Sequence, residues 1–432
     1  MEKLSTLPYK GSRDFYPNDQ NLQNYIFETW RKVCRLYGFS EYNGPFLEPF
    51  ELYEAKSGQE LVTQQLYSFE DRGGRKVAIR PEMTPTVARM VAATSKSMAK
   101  PIKWFSIANF WRYERPQRGR LREFFQLNVD IFGENSILAD FEVFSVGPAV
   151  MRALGATSKM YEVKVNNRIF MDFLFDTLVG VAGDRKPQIL KAIDRKDKMG
   201  DEEFRKMLLE EASLNGDQVE KILEILKMTI EDVANYKGQN KGADELIEFF
   251  ELSKSGEFSD VFVFDPKIVR GLDYYTGLVI EQWDKNPENN RSMYGGGRYD
   301  DLTDLFEGAE SLPATGFAMG DVTLIKFLES WNLTPEFKPT TTVLISVFPK
   351  LEKESLTLAN KLRSQAVSCE LYLSPADSLD KQLKYADKKQ IPYVLIVGEN
   401  EMKEGKVTLK ELATREQITT GFSEVEKKLK QI

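Results

Sequence analysis

The spacing of apolar residues changes along the chain, and these changes limit the folds that it can adopt. Up to about residue 165, strand-like runs such as Trp104–Phe110 and Phe124–Phe132 alternate with helical segments such as Asn21–Tyr37. Residues 166–257 instead carry leucine and isoleucine at helical spacing among many lysines and glutamates, and strand signals return after them. The sequence therefore predicts an α+β fold, in which helices flank a mainly antiparallel sheet and a helical insertion interrupts it.

A proline-flanked connector, 333–339, separates this part of the chain from a different pattern. Beyond it, short apolar strands alternate with helices, beginning with a strand at Val343–Val347 and a helix at Leu351–Ala366. Such alternation is typical of βαβ units, so we predict a small α/β domain with several parallel strands. The predicted domains are a core, an insertion, a linker and the α/β domain: 1–165 with 258–332, 166–257, 333–339 and 340–432.

Histidine is absent from all 432 residues, and this absence removes several kinds of chemistry. Catalytic triads that use histidine, histidine general bases and histidine-ligated metal ions are all excluded. The two cysteines, Cys34 and Cys369, lie far apart and have no metal-ligand spacing, and a disulfide framework is not expected either. Any catalysis must therefore use carboxylates, arginines, lysines, tyrosines and backbone groups.

The formal net charge is −7, from 59 basic and 66 acidic residues, so the chain lacks a general basic field. Binding to a nucleic acid would therefore need local basic patches. No apolar run approaches the roughly 18–20 residues of a membrane helix. The first residues, Met1–Thr6, also lack the apolar stretch of a signal peptide. We expect a cytoplasmic protein without a membrane segment.

The densest chemical signal is a basic segment, in which five arginines fall between positions 112 and 122. Strand-like runs flank it, and Pro116 and Gly119 predict a turn in its middle. A guanidinium grips a phosphate group with two parallel hydrogen bonds, so a hairpin with arginines on both strands could clamp a polyphosphate and reach a nucleic-acid end. The alternative is a solvated basic loop without a ligand.

Four further segments combine glycine, proline and charged residues in ways that favour a binding site: 80–85, 268–277, 294–302 and 316–321. In the first of them, Glu82 could bind an ammonium group or instead cap the helix that follows it. In the third, the run from Gly295 to Gly297 would let a ligand approach the backbone closely, although a flexible turn has the same pattern.

Together and in this order, these segments resemble those of the class II aminoacyl-tRNA synthetases, in particular the histidine-specific family. The motifs Arg270-Gly271-Leu272-Asp273-Tyr274-Tyr275 and Gly295-Gly296-Gly297-Arg298-Tyr299-Asp300 carry the resemblance, which covers nearly the whole chain. It implies that ATP activates L-histidine to histidyl-adenylate, and that the acyl group then passes to the 3′ end of tRNA(His). It also implies a homodimer with Asn21–Pro45 at its interface, Mg²⁺ accompanying ATP, and an anticodon-binding role for 340–432.

The resemblance assigns roles to individual residues. Arg112 and Arg270 would be the two catalytic residues, because both would stabilise charge at the reacting phosphorus. Asp130 would bind the imidazole ring, while Arg115 and Gln117 would meet the tRNA acceptor end. The expected histidine contacts are Glu82, Met83, Thr84, Arg112, Gln126, Asp130, Arg270, Tyr274, Tyr275, Gly295, Gly296 and Tyr299. The expected ATP contacts are Arg112, Glu114, Arg120, Arg122 and Phe124.

One position departs from the family pattern. The third class II motif usually carries an arginine that holds the γ-phosphate of ATP, and Thr323 stands in its place. Either another arginine reaches the γ-phosphate, with Arg120 and Arg298 as the candidates, or the use of ATP is weakened. The departure keeps open an alternative function, a synthetase-like regulatory subunit of ATP phosphoribosyltransferase that binds histidine without charging tRNA. The α/β domain and the intact arginine segment argue against this alternative.

Overall fold

The computed structural model describes residues 3–55, 61–181, 183–196, 199–269, 274–289 and 291–431. The chain divides into two compact units, Met1–Pro335 and Glu336–Ile432.

The strands of the first unit are β1 (Ser40–Glu41), β2 (Leu47–Pro49), β3 (Ser68–Glu70), β4 (Lys76–Ile79), β5 (Ile102–Trp111), β6 (Glu123–Phe132), β7 (Tyr161–Asn167), β8 (Phe262–Phe264), β9 (Leu278–Asp284), β10 (Ser292–Arg298) and β11 (Ala314–Gly320). Its α-helices are α1 (Pro17–Leu36), α2 (Phe50–Glu54), α3 (Thr84–Thr94), α4 (Ile137–Ala153), α5 (Arg168–Leu174), α6 (Lys186–Arg195), α7 (Asp201–Glu210), α8 (Gly216–Ile225), α9 (Ile230–Val233), α10 (Lys241–Ser255) and α11 (Asp321–Ser330). Short 3₁₀ or π turns lie at Leu61–Gln65, Ser95–Ser97, Phe175–Val179, Gly183–Arg185, Ala234–Tyr236, Pro287–Asn289 and Thr303–Leu305.

Within the described residues, eight strands of the first unit form one sheet in the order β1-β5-β6-β11-β10-β9-β7-β8. Its pairs are antiparallel except at the two edges, where β1 runs parallel to β5 and β7 runs parallel to β8. Strands β2, β4 and β3 form a small antiparallel sheet beside it. The prediction of an α+β fold with a mainly antiparallel sheet is therefore confirmed.

Helix α1 illustrates how the local sequence determines an element. Pro17 lies in its first turn, where the missing N–H would have no intrahelical partner. Ile26, Trp30 and Val33 recur at helical spacing, and all three are buried against the sheet core. Gly38 follows the helix with a φ of +76°, a left-handed conformation that ends helices and that glycine adopts without strain.

The helical segment that follows β7 shares its core with the sheet. The buried rings of Phe170, Phe204 and Phe249 belong to the same hydrophobic cluster as Val129 of β6. Helices α5 to α10 therefore pack onto the core that the large sheet also uses. The insertion was predicted to begin at residue 166, whereas β7 continues to Asn167.

The second unit contains a mixed sheet of five strands in the part of the chain that the structure describes, ordered β13-β12-β14-β15-β16. Its strands are β12 (Val343–Ile345), β13 (Cys369–Leu371), β14 (Tyr393–Ile396), β15 (Lys406–Glu411) and β16 (Gln417–Gly421). Its helices are α12 (Glu352–Ser364), α13 (Leu379–Lys388), α14 (Glu399–Lys403) and α15 (Phe422–Leu429). Strand β12 pairs in parallel with β13 and β14, as the βαβ pattern predicts, whereas β15 and β16 add antiparallel strands.

Across the described ranges, no helix combines the length and the apolar character that crossing a membrane requires.

Candidate active site

One face of strand β6 carries several of the predicted ligand contacts. Side chains alternate along a strand, so Phe124, Gln126 and Asp130 project from the same face of the large sheet. Because β6 lies between β5 and β11, Asp130 sits opposite Trp104 on one neighbour and Gly316 on the other. The strand thus aligns an aromatic, an amide and a carboxylate along one surface.

Asp130 is the buried polar centre of this surface, with an exposed fraction of 4%. The hydroxyl of Tyr299 donates to its Oδ1 atom, while Oδ2 has no hydrogen-bond partner among the described residues. Burial raises the pKa of Asp130 to about 7, and the hydrogen bond from Tyr299 opposes this rise. An unpartnered buried oxygen is costly, so Oδ2 is suited to accept a hydrogen bond from a ligand.

Gly316 makes room for this carboxylate. A Cβ atom at position 316 would collide with Asp130 Oδ1 and would lie 2.8 Å from the hydroxyl oxygen of Tyr299. A larger residue on β11 would therefore displace the Asp130–Tyr299 pair.

Three tyrosines form a cluster that contacts Asp130 through the hydroxyl of Tyr299. The ring centroids of Tyr274 and Tyr275 lie 4.8 Å apart, and those of Tyr274 and Tyr299 lie 5.9 Å apart. The Tyr274 hydroxyl donates to Glu82 Oε2 over 3.5 Å, which links the tyrosines to the segment before α3. These residues come from distant parts of the sequence, and the fold brings them together, whereas their contact with histidine stays a prediction.

The glycine run belongs to a strand and not to a flexible turn. Gly295 and Gly296 lie within β10, which pairs with β9 and β11. A Cβ atom on Gly297 would come within 2.7 Å of Tyr275 Cδ1. The run therefore lets a tyrosine ring lie directly on the strand.

The segment before α3 connects the tyrosine cluster to the arginine hairpin. Glu82 is buried, and Thr84 begins α3. Met83 is completely buried in an apolar cluster, where it packs against Phe110, and its contact with histidine stays a prediction. Arg112 Nε donates to the carbonyl oxygen of Pro81 over 2.9 Å, which fixes the first hairpin arginine beside Glu82.

The arginine segment is a hairpin between β5 and β6, as predicted. The backbone N–H of Arg112 donates to the carbonyl oxygen of Arg122 over 2.9 Å, and a tight turn closes between Gln117 and Arg120. The guanidinium carbon of Arg112 lies 5.2 Å from the centroid of the Phe124 ring. The residues expected to touch ATP therefore occupy one end of the sheet, next to the segment that leads to the tyrosine cluster.

The hairpin arginines differ in their partners. Arg120 Nη1 lies 3.4 Å from Glu114 Oε2, in a partly exposed ion pair. Arg122 donates to the Tyr9 hydroxyl over 2.8 Å, and its guanidinium carbon lies 4.0 Å from the Tyr113 ring centroid. Arg122 thus ties the hairpin to the N-terminal arm, and its contact with ATP stays a prediction.

The two residues expected to meet the tRNA acceptor end, Arg115 and Gln117, are both exposed near the tip of the hairpin. Arg270, the second catalytic candidate, lies outside the described residues together with Gly271, Leu272 and Asp273. Its position relative to Arg112 stays a prediction.

Arg298 cannot serve as the replacement for the third-motif arginine. Its side chain is 3% exposed, and its Nη2 atom lies 2.8 Å from Oδ2 of the fully buried Asp140. Releasing this guanidinium toward a phosphate would leave Asp140 charged and unpaired in the core, at a cost of roughly 3–5 kcal/mol. Of the two candidates, Arg120 remains.

Sequence reasoning missed one arginine at the site. Arg291, just before β10, lies beside the hairpin turn: a Cβ atom on Gly119 would be 3.2 Å from Arg291 Cδ and 3.6 Å from Thr323 Cγ2. A single arginine ahead of a glycine run carries no signal by itself. Only the departure at Thr323 could have directed a search for a nearby guanidinium.

Comparison with known proteins shows the family to which the chain is similar. A family model described as histidyl-tRNA synthetase matches residues 11–323, and one described as an anticodon-binding domain matches residues 341–432. A histidine–tRNA ligase of Leptospira biflexa is 43% identical, over 100% of this chain and 98% of that protein. The histidine–tRNA ligase of Haloarcula marismortui is 37% identical, over 96% of this chain and 95% of that protein.

Solved structures match the fold. The histidyl-tRNA synthetase of Nostoc sp. PCC 7120 gives a TM-score of 0.82 at 23% identity, covering 99% of this chain and 100% of that one. A protein of Bacillus halodurans described as an ATP phosphoribosyltransferase regulatory subunit/histidyl-tRNA synthetase gives 0.74 at 23% identity, covering 89% of this chain and 97% of that one. At such identities these likenesses concern the fold alone.

The antiparallel sheet, the arginine hairpin and the C-terminal α/β unit together define a class II aminoacyl-tRNA synthetase. Within that class, the chain belongs to the histidyl-tRNA synthetase family, whose model covers most of its length. It is accordingly an enzyme, and the regulatory-subunit alternative has less support than the ligase, because the relatives at 37–43% identity are named as ligases.

Proposed function

We propose that the chain, as a histidine–tRNA ligase, reads the imidazole ring of L-histidine with Asp130. The observation that carries this proposal is the unpartnered Oδ2 atom of the buried Asp130 carboxylate. A neutral imidazole has one N–H donor and one acceptor nitrogen, so its N–H can donate to Oδ2. Tyr299 already donates to Oδ1, which orients the carboxylate. A site that must satisfy such groups rejects amino acids without them by a large factor.

The backbone end of histidine lies, in this proposal, toward Glu82, Thr84 and Gln126. Glu82 is a buried carboxylate next to the pocket, which suits it to the substrate ammonium group. Tyr274 donates to Glu82 and can hold it in place.

Arg112 performs electrostatic catalysis in the first step. A carboxylate oxygen of histidine forms a bond to the α-phosphorus of ATP, the bond to the bridging oxygen breaks, and pyrophosphate leaves. The nucleophile is already ionised, so no general base is needed, which fits a chain without histidine. Negative charge accumulates on the α-phosphate oxygens, and a fixed guanidinium stabilises it. The bond from Arg112 to the Pro81 carbonyl fixes that guanidinium beside the pocket.

The nucleotide occupies the hairpin in this proposal, with Phe124 stacking on adenine, Glu114 accepting from its amino group and Arg120 near the phosphates. Mg²⁺ would enter with ATP. Among the described residues no group of three or more acidic or cysteine side chains could hold a metal ion. Glu114 is already paired with Arg120.

The exposed residues Arg115 and Gln117 are proposed to meet the acceptor end of tRNA(His), and the second unit its anticodon. A homodimer is proposed to form through Asn21–Pro45 and its surroundings. Leu36 and Phe46 support this interface, because they expose 76% and 42% of their surface. The free cysteines Cys34 and Cys369 fit the reducing cytoplasm that we propose for the protein. Sedimentation velocity tests the dimer, and a monomer at micromolar concentration would contradict it.

Histidine-dependent exchange of pyrophosphate into ATP tests the proposed function. The wild-type chain should exchange only when histidine is present. Arg112→Ala should lower the exchange rate by roughly 100- to 1,000-fold, the usual effect of removing a group that stabilises transition-state charge. Arg118→Ala is the matched control, an exposed arginine of the same hairpin, and should exchange at the wild-type rate. Histidine binding without any exchange would instead favour the regulatory-subunit function.

A further inference from the structure

The position of Thr323 raises the question of which group holds the distal phosphates of ATP. Thr323 lies at the start of α11, and its hydroxyl donates to the carbonyl oxygens of Met293 and Gly320, each over 3.4 Å. A threonine in this arrangement offers no positive charge. Arg298 is committed to Asp140, which excludes it as the replacement.

Arg291 reaches the same place from another direction. Its Cδ and Nε atoms lie 3.2 Å and 3.7 Å from the position of a Cβ atom on Gly119, and Thr323 Cγ2 lies 3.6 Å from that position. Its Nη2 atom donates to Gln117 Oε1 over 3.4 Å. The side chain of Arg291 therefore lies where the hairpin turn meets the start of α11.

The hairpin turn is built to allow this approach. Gly119 has a φ of +77°, in the left-handed region that glycine tolerates best. A side chain at this position would also press against Arg291, which lies 3.2 Å from where its Cβ atom would be. Backbone conformation and close packing thus both favour glycine next to the Arg291 side chain.

Positive charge exceeds negative charge in the surroundings of Arg291. Burial and the nearby guanidinium of Arg120 lower the pKa of Arg291, and the charge of Glu114 opposes this effect. Glu114 is already the ion-pair partner of Arg120, at 3.4 Å. Within the described ranges, no carboxylate lies in ion-pair distance of Arg291. Two guanidinium groups lie near a single carboxylate, which is paired with only one of them, so an added anion would stabilise this site.

We propose that Arg291 supplies the guanidinium that the third motif lacks, and that it holds the terminal phosphate of ATP together with Arg120. This inference rests on the proposed function and names one further residue for the same reaction. The planar fork of Arg291 would bind the γ-phosphate in the substrate and the departing pyrophosphate after the first step. Arg291 directly precedes β10, whereas the third-motif position, Thr323, lies in α11. The Arg291 side chain would therefore approach the phosphate from the side of the hairpin turn.

A purely structural role is the competing explanation, because Arg291 also bridges to Gln117 at the hairpin tip. The two roles differ in what they affect. Loss of a structural brace would weaken the binding of every ligand that the hairpin touches. Loss of a distal-phosphate contact would weaken the binding only of ligands that carry distal phosphates.

The test uses full-length Arg291→Ala in histidine-dependent pyrophosphate exchange, with ATP varied. The KM for ATP should rise by about 10- to 100-fold, as expected for losing a hydrogen bond between charged groups. The KM for histidine should change less than about twofold, by the additivity of separate sites. Binding of the sulfamoyl analogue of histidyl-adenylate, which has no distal phosphates, should equal that of the wild type. Arg118→Ala serves again as the control.

A rescue variant sharpens the test. Thr323→Arg in the Arg291→Ala background returns an arginine to the third motif, and it should recover most of the lost ATP affinity. If Arg291→Ala does not fold by circular dichroism, Arg291→Gln replaces it, because glutamine keeps a donor toward Gln117 without the charge.

An unchanged KM for ATP in the folded variant would overturn the inference, and so would an equal loss of binding for ATP and the sulfamoyl analogue. These outcomes are distinct from failure of the proposed function, in which the wild-type chain itself would show no histidine-dependent exchange.

Discussion

Replacing Asp130 with asparagine should stabilise the ligand-free protein at alkaline pH while it destroys the histidine site. In the folded chain, burial raises the pKa of Asp130 from 3.8 to about 7. In the unfolded chain the carboxyl ionises near its ordinary pKa of about 3.9. Between these two values unfolding releases a proton, so the free energy of unfolding falls as the pH rises from about 4 to about 7.

The size of the effect follows from the separation of the two pKa values. Each pKa unit corresponds to about 1.4 kcal/mol, so the full penalty above pH 7 is about 4 kcal/mol. Asparagine cannot ionise and escapes this penalty. Its amide N–H groups cost about 1–3 kcal/mol if they stay unpaired, but that cost does not depend on pH. The stability of the variant minus that of the wild type should therefore increase by about 3 kcal/mol between pH 5 and pH 8.5.

Urea unfolding at these two pH values, followed by tryptophan fluorescence, measures the difference. All five tryptophans lie between positions 30 and 331, so the signal reports on the first unit. Asp140→Asn is the matched control, because this equally buried carboxylate is paired with Arg298. That variant removes one of the two carboxylates paired with the buried Arg298 guanidinium, so it should be less stable than the wild type at both pH values. Because burial also raises the pKa of Asp140, to about 6, its stability difference from the wild type should change by only about half as much as that of Asp130→Asn.

Saturating histidine completes the experiment. It should stabilise the wild type at pH 8.5 and should leave Asp130→Asn almost unaffected, because a ligand stabilises only the protein that binds it. A stability difference between variant and wild type that is the same at pH 5 and pH 8.5 would refute the reasoning, since the carboxylate would then not be a buried, uncompensated charge.

Two other changes have defined outcomes. Gly316→Ala should raise the KM for histidine at least tenfold and leave the KM for ATP within about twofold, because the new Cβ atom would collide with Asp130 Oδ1. Pyrophosphate exchange measures both constants, and an unchanged KM for histidine would contradict the prediction. Ending the chain after Pro335 should leave pyrophosphate exchange largely intact and raise the KM for tRNA, because the two units are separately compact. Aminoacylation kinetics measure the KM for tRNA, and an equal loss of both activities would indicate a structural role for the second unit.

The spacing of apolar residues predicted the helices and strands whose buried residues recur at a regular interval. Helix α1 and strand β6 are examples, with bounds that differ from the predictions by four residues or fewer. Strand β16 was not predicted, because Gln417–Gly421 is short, polar and mostly exposed. Strand β10 was also ambiguous, since adjacent glycines have low strand propensity and it is pairing with β9 and β11 that makes them a strand.

The site was predictable where motifs are local and was not where contacts join distant positions. The hairpin around Arg112 is contiguous in sequence. In contrast, Arg298 stands next to Tyr299 in a ligand-binding motif, yet it pairs with Asp140, 158 positions away. The meeting of Gly119, Arg291 and Thr323 likewise depends on tertiary packing, and no spacing rule in one sequence reveals it.

The central claim is that this chain activates histidine through a carboxylate that reads the imidazole ring. The most direct measurement is amino-acid-dependent exchange of pyrophosphate into ATP by the wild type and Asp130→Asn, with histidine compared against the other proteinogenic amino acids. We predict exchange with histidine alone in the wild type and a loss of at least tenfold in kcat/KM for histidine in the variant. Equal exchange by both proteins, or no exchange by the wild type when calorimetry detects bound histidine, would contradict the claim.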